Sequence, residues 1–91
     1  MVIKIPEDVS SYLESLQYEC NARADLIAFM VRQGLQDAEG FKKYHTEYVD
    51  FHAQFELAKQ EMEEKYLKPE VPGPFTWALD FRTHEVTIKD A

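Results

Sequence analysis

Between residues 41 and 62 the apolar positions fall at Phe41, Tyr44, Tyr48, Phe51, Phe55, Ala58 and Met62, a run of alternating steps of 3 and 4. Such steps follow the turn of an α-helix and place all seven groups along one line of it. The pattern predicts a helix over 38–67, with Asp37 as its N-cap. Glu61 with Lys65 and Glu64 with Lys68 stand four apart in the favoured order for exposed helical pairs.

A second stripe precedes it. Val9, Leu13, Leu16, Cys20, Ala24, Ile27 and Val31 recur at steps of 4, 3, 4, 4, 3 and 4, with no internal Pro or Gly from Pro6 to Gln33. This predicts an amphipathic helix over 6–33. Pro6, Glu7 and Asp8 suit its first turn, and Gly34 suits the left-handed residue that ends it. The loop that remains is about four residues, so the two helices form an antiparallel hairpin. Small Cys20, Ala24 and Ala28 face large Tyr48, Phe51 and Phe55 across it.

The period then changes. Pro69, Pro72, Gly73 and Pro74 make 69–74 an extended linker. Phe75, Trp77, Leu79 and Phe81 alternate with Thr76, Ala78 and Asp80, and Val86 and Ile88 share a face after the turn Arg82-Thr83-His84. Period 2 predicts a β-hairpin over 75–89. Val2-Ile3-Lys4-Ile5 predicts a short strand over 2–5, a candidate third strand of the same sheet. The expected fold is a single mostly helical α+β domain: an antiparallel long-helix hairpin with a small C-terminal antiparallel β-hairpin.

Composition narrows what this fold can do. With 91 residues the chain builds one thin core, and small helical proteins often complete theirs by self-association. The formal net charge is −7, and no basic cluster exceeds Lys42-Lys43, which disfavours nucleic acid and anionic membrane surfaces as partners. Cys20 stands alone, so no internal disulfide forms, and its place on the apolar stripe reads as a small buried hydrophobe. The opening MVIKIPEDVS lacks the pattern of a signal peptide, and no run reaches the roughly 18 apolar residues of a membrane span. The expectation is a soluble cytoplasmic protein.

Candidate chemistry is sparse. His45, His52 and Glu56 share a helix side, and imidazole with carboxylate at that spacing is donor chemistry for zinc or iron, with Glu14, Glu19 and Glu47 as further donors. The Glu-x-x-His pattern of paired-helix metal bundles is missing, since Lys42 and Val49 stand three before the histidines. The bland reading is two histidines flanking an aromatic seam with their tips in water. No nucleophile has a recognisable setting, and 3 glycines make a phosphate-cradling loop untenable. No cofactor is implied. Arg23 reads as a structural ion pair with Glu19, Glu47 or Asp50.

Tyr12, Leu26, Phe29 and Met30 fall partly outside the first helix's stripe, and Trp77 heads an apolar row that a two-stranded sheet cannot hide. These five are the interface candidates. The expected function is a non-enzymatic interaction or structural module, a homo-oligomer or an accessory subunit of a larger assembly with a protein partner. The alternatives are a small metal- or ligand-binding bundle using His45, His52 and Glu56, and an acidic inhibitor or mimic that binds a basic partner.

Overall fold

The structure is a computed structural model that describes residues 1–90. Its elements run β1 (Val2–Lys4), α1 (Glu7–Arg32), α2 (Glu39–Met62), a π-helical turn (Glu63–Leu67), β2 (Phe75–Asp80) and β3 (Glu85–Asp90). The fold is mostly α, with a helical hairpin and a small antiparallel sheet. The chain divides into two compact units, one of Met1–Glu14 with the chain from Leu57 onward, the other of Ser15–Glu56.

In the first unit the sheet order is β1-β3-β2, both pairs antiparallel, so the N-terminal strand does join the hairpin. The register sets Ile3 and Leu79 opposite Val86 and Trp77 opposite Ile88, which gathers the apolar residues on one face. The other face carries Lys4 opposite Glu85, itself opposite Asp80. The β2–β3 turn closes through two bonds to Asp80: the Arg82 N–H donates to its carboxylate at 2.9 Å, and the His84 N–H donates to its carbonyl at 2.8 Å. His84 adopts φ 60, in the left-handed region, and its carbonyl accepts from the Ile5 N–H at 2.9 Å, which ties β1's end to the turn.

The core of this unit is Ile5, Leu13, Ala58, Met62, Leu67, Val86 and Ile88, with Leu67 and Val86 fully buried. Ser10 is also fully buried, and among the described residues its hydroxyl has no hydrogen-bond partner. The π-helical turn explains how Leu67 reaches the core. Met62 and Leu67 are five apart, and at about 100° per residue an α-helix would point them to different sides. The turn inserts one extra residue, with the Lys68 N–H donating to the Glu63 carbonyl at 2.8 Å, and brings both side chains inward. The helix expected over 38–67 is therefore α-helical only to Met62.

The second unit is the helical pair. Gly34 (φ 69) ends α1 with the double bond of a Schellman cap, Leu35 N–H to Met30 carbonyl at 2.8 Å and Gly34 N–H to Val31 carbonyl at 3.0 Å. The cap and a following turn, Ala38 N–H to Leu35 carbonyl at 3.0 Å, lengthen the connection, so that six residues, 33–38, separate the helices rather than four.

Two expectations change here. The seam rings Phe41, Tyr44, Tyr48, Phe51 and Phe55 are only half-buried, and of the seam only Ala58 and Met62 are buried. Two helices cannot enclose large rings, whereas Ala58 and Met62 belong to the unit in which a sheet adds a third layer. Met30, expected to lack an intrachain partner, is 7% exposed, while Val31, assigned to the buried stripe, is 45% exposed. Both flank the line through Leu16, Cys20 and Ile27, and the chain covers the Met30 flank.

Candidate functional site

Two features stand out as places where the protein can meet something else. The first is on the helical pair. Arg23 of α1 donates from Nε to the Glu47 carboxylate of α2 at 3.3 Å and from Nη1 to Glu19 one turn back, and its guanidinium lies over the Phe51 ring, 4.3 Å from the centroid. The Glu19 hydrogen bond, with the charges of Glu19 and Glu47, raises the Arg23 pKa above its ordinary value, and burial opposes it. This cluster marks one shoulder of the pair. Helical geometry puts the carboxylates Glu19, Glu47 and Asp50 on that shoulder.

The opposite shoulder is more apolar, with the Glu56 carboxylate beside His52 at its rim. It carries Ala24, Ala28 and Val31 from α1 and Phe41 and Tyr48 from α2. Ala28 and Val31 are exposed, and the others are half-buried. His45 stacks on Phe41 at 6.2 Å between centroids, and His52 tilts against Tyr48 at 5.8 Å, so the histidines extend the ring surface outward.

The expected metal ligands do not converge. His52 Nε2 lies 3.8 Å from the Glu56 carboxylate, both about half-exposed, a pairing that carries charge only when the imidazole is protonated. His45 faces Phe41 instead. Among the described residues no group of three His, Cys, Asp or Glu side chains is placed to hold a metal ion.

The second feature is a cleft of about 310 Å³ in the sheet-containing unit, lined from the start of α1 by Asp8, Val9, Tyr12 and Leu13 and from the other side by Ala58, Glu61, Lys65 and Tyr66. Lys65 and Tyr66 belong to the π-helical turn, and the Lys65 ammonium lies 5.4 Å from the Tyr66 ring centroid. Leu13 and Ala58 are buried at its floor.

The interface candidates scatter. Tyr12 is 54% exposed on the rim of this cleft, Phe29 is exposed and Leu26 half-buried on α1, and Met30 is covered. Trp77 is half-buried, and its indole N–H donates to the Glu63 carboxylate at 2.5 Å, which anchors the sheet to the π-helical turn. Asp8, Glu61, Lys65 and Tyr66 carry no sequence signal of a site. Each is an ordinary surface residue of a helix, and only the fold brings the two segments together. Among the described residues no helix is long and apolar enough to cross a membrane. Comparison with known proteins finds no family model that matches the chain, and no curated protein or solved structure that does.

Proposed function

We propose that the protein is a non-enzymatic, cytoplasmic interaction module that self-associates through the apolar shoulder of its helical pair. The observation that carries this reading is the separation of charge. In a chain of net charge −7, a second copy is repelled unless the carboxylates stay clear of the contact. Here Arg23 holds Glu19 and Glu47, and the other shoulder offers Ala24, Ala28, Val31, Phe41 and Tyr48, with Glu56 paired to His52 at its rim. Two such faces brought together give a four-helix arrangement in which the small residues of one pair receive the rings of the other. The half-exposed seam is then covered, which supplies the third layer that two helices lack.

Light scattering at micromolar concentration tests it. The wild-type mass should be about twice that of the 10.7 kDa chain. Ala28→Glu, an exposed change that touches no core residue, should return it to the mass of one chain. A wild-type protein that stays monomeric at high micromolar concentration ends the proposal, and so does an Ala28→Glu protein that stays dimeric.

A further inference from the structure

The cleft beside the π-helical turn belongs to the sheet-containing unit and plays no part in the proposed self-association. We propose that it binds an organic cation: an alkylammonium group carried on a short apolar body.

The lining sets the chemistry. Val9, Leu13 and Ala58 offer an apolar floor for a hydrocarbon stem. Tyr12 and Tyr66 bring two phenol rings, whose faces attract cations. Asp8 and Glu61 supply two carboxylates against the single ammonium of Lys65, so the lining carries an excess of one negative charge, which disfavours an anion. A neutral apolar ligand would use the floor and neither the rings' electrostatics nor the carboxylates. The field of an acidic chain adds to the attraction. A volume of about 310 Å³ is that of about ten waters, which fits a compact ligand.

One cation–ring contact is present within the chain itself. The Lys65 ammonium, 5.4 Å from the Tyr66 centroid, is the chain's own cation on that ring. Lys65 thus acts as an internal competitor, and an external cation takes its place on Tyr66 while covering the floor. The two sources of such a group are a free small molecule of choline type and a methylated lysine on a protein tail.

The test is an NMR titration of the full-length chain, following the Tyr12 and Tyr66 ring signals at constant ionic strength. The probes are choline chloride, its uncharged isostere with carbon in place of the quaternary nitrogen, and an N-acetylated trimethyllysine amide. Choline should shift both rings saturably, and the isostere should bind about tenfold more weakly. Glu61→Gln should weaken choline severalfold. Lys65→Met should strengthen it, because the competitor is gone. Both positions are exposed, so neither change disturbs the core. Tighter binding of the trimethyllysine amide assigns the ligand to a protein tail, and tighter binding of choline assigns it to a free molecule. The proposal is overturned by the absence of a saturable shift with choline, by equal affinity for the isostere, or by weaker choline binding in Lys65→Met.

Discussion

At the scale of single residues, the most informative side chain is the one whose chemistry does not match its place. Ser10 is fully buried at the end of the first turn of α1, with no partner for its hydroxyl among the described residues. Its backbone N–H is satisfied, donating to the Pro6 carbonyl at 3.1 Å, so only the side chain is orphaned. A buried hydroxyl without a partner costs free energy, and alanine is the better helix former. Ser10→Ala should therefore raise stability by about 0.5–1 kcal/mol, the size of one typical hydrogen-bonding deficit. Thermal unfolding by circular dichroism reads it as a higher Tm, and a lower Tm would mean that the hydroxyl holds a bond that keeps the turn in place. Arg23 is the opposite case. Its pairing with Glu19 and Glu47 was legible because the sequence offers few basic residues near the stripe, and three carboxylates stand within reach of it. The exposures of Met30 and Val31 were not legible, because they flank the same stripe equally and only the three-dimensional chain chooses between them.

At the scale of elements, the two helices, the linker and the hairpin all follow from periodicity and from Gly and Pro placement. Gly34 announced its cap, and the alternation from Phe75 announced β2. The third strand was legible only as a composition of β-branched residues, since its pairing with β3 spans almost the whole chain. The π-helical turn was hidden, because a reading at 3.6 residues per turn carries the helix straight on to Leu67. The apolar steps Ala58 to Met62 to Leu67 are 4 and 5, and the second step is the signal that such a reading passes over. The same steps make a prediction. Glu64 is exposed, and deleting it leaves Met62 and Leu67 four apart, which an unbroken α-helix can bury on one side. The deletion should preserve cooperative unfolding with a Tm close to wild type, while moving Lys65 and Tyr66 out of the cleft geometry. Inserting one alanine after Met62 should instead push Leu67 out of the core and cost about 2–5 kcal/mol, the range for losing a buried Leu. Collapse of the deletion variant would show that the wide turn is needed for the Trp77–Glu63 bond rather than for the phase of Leu67.

At the scale of the whole molecule, the two units differ in how their apolar groups are held, and that difference locates the stability. A reading that weighs side-chain size puts the centre of the fold at the aromatic seam, because rings bury the most area. The structure leaves those rings half-buried, whereas Leu13, Met62, Leu67 and Val86 are almost wholly enclosed. Area removed from water decides the energy, at about 25 cal/mol per Å², so a smaller residue that is fully enclosed can outweigh a larger one left half in solvent. The comparison of Leu67→Ala with Phe51→Ala in the same protein puts this to the test. Leu67→Ala should cost about 2–5 kcal/mol, a large part of the roughly 5–10 kcal/mol available to a domain of this size. That corresponds to a fall in Tm of about 10 °C or more. Phe51→Ala should cost less in dilute solution, since Arg23 above the ring and the facing helix are its main cover. Its cost should be the same at any protein concentration, because Arg23 holds Phe51 on the shoulder that the proposed self-association keeps clear of the contact, and only residues of the contact are linked to mass action. Urea titrations of both variants at two concentrations, a hundredfold apart, separate the cases. A Phe51 loss that grows with concentration would place the ring in the contact between copies and reverse the assignment of the two shoulders. A Phe51 loss larger than that of Leu67 in dilute solution would return the centre of the fold to the aromatic seam.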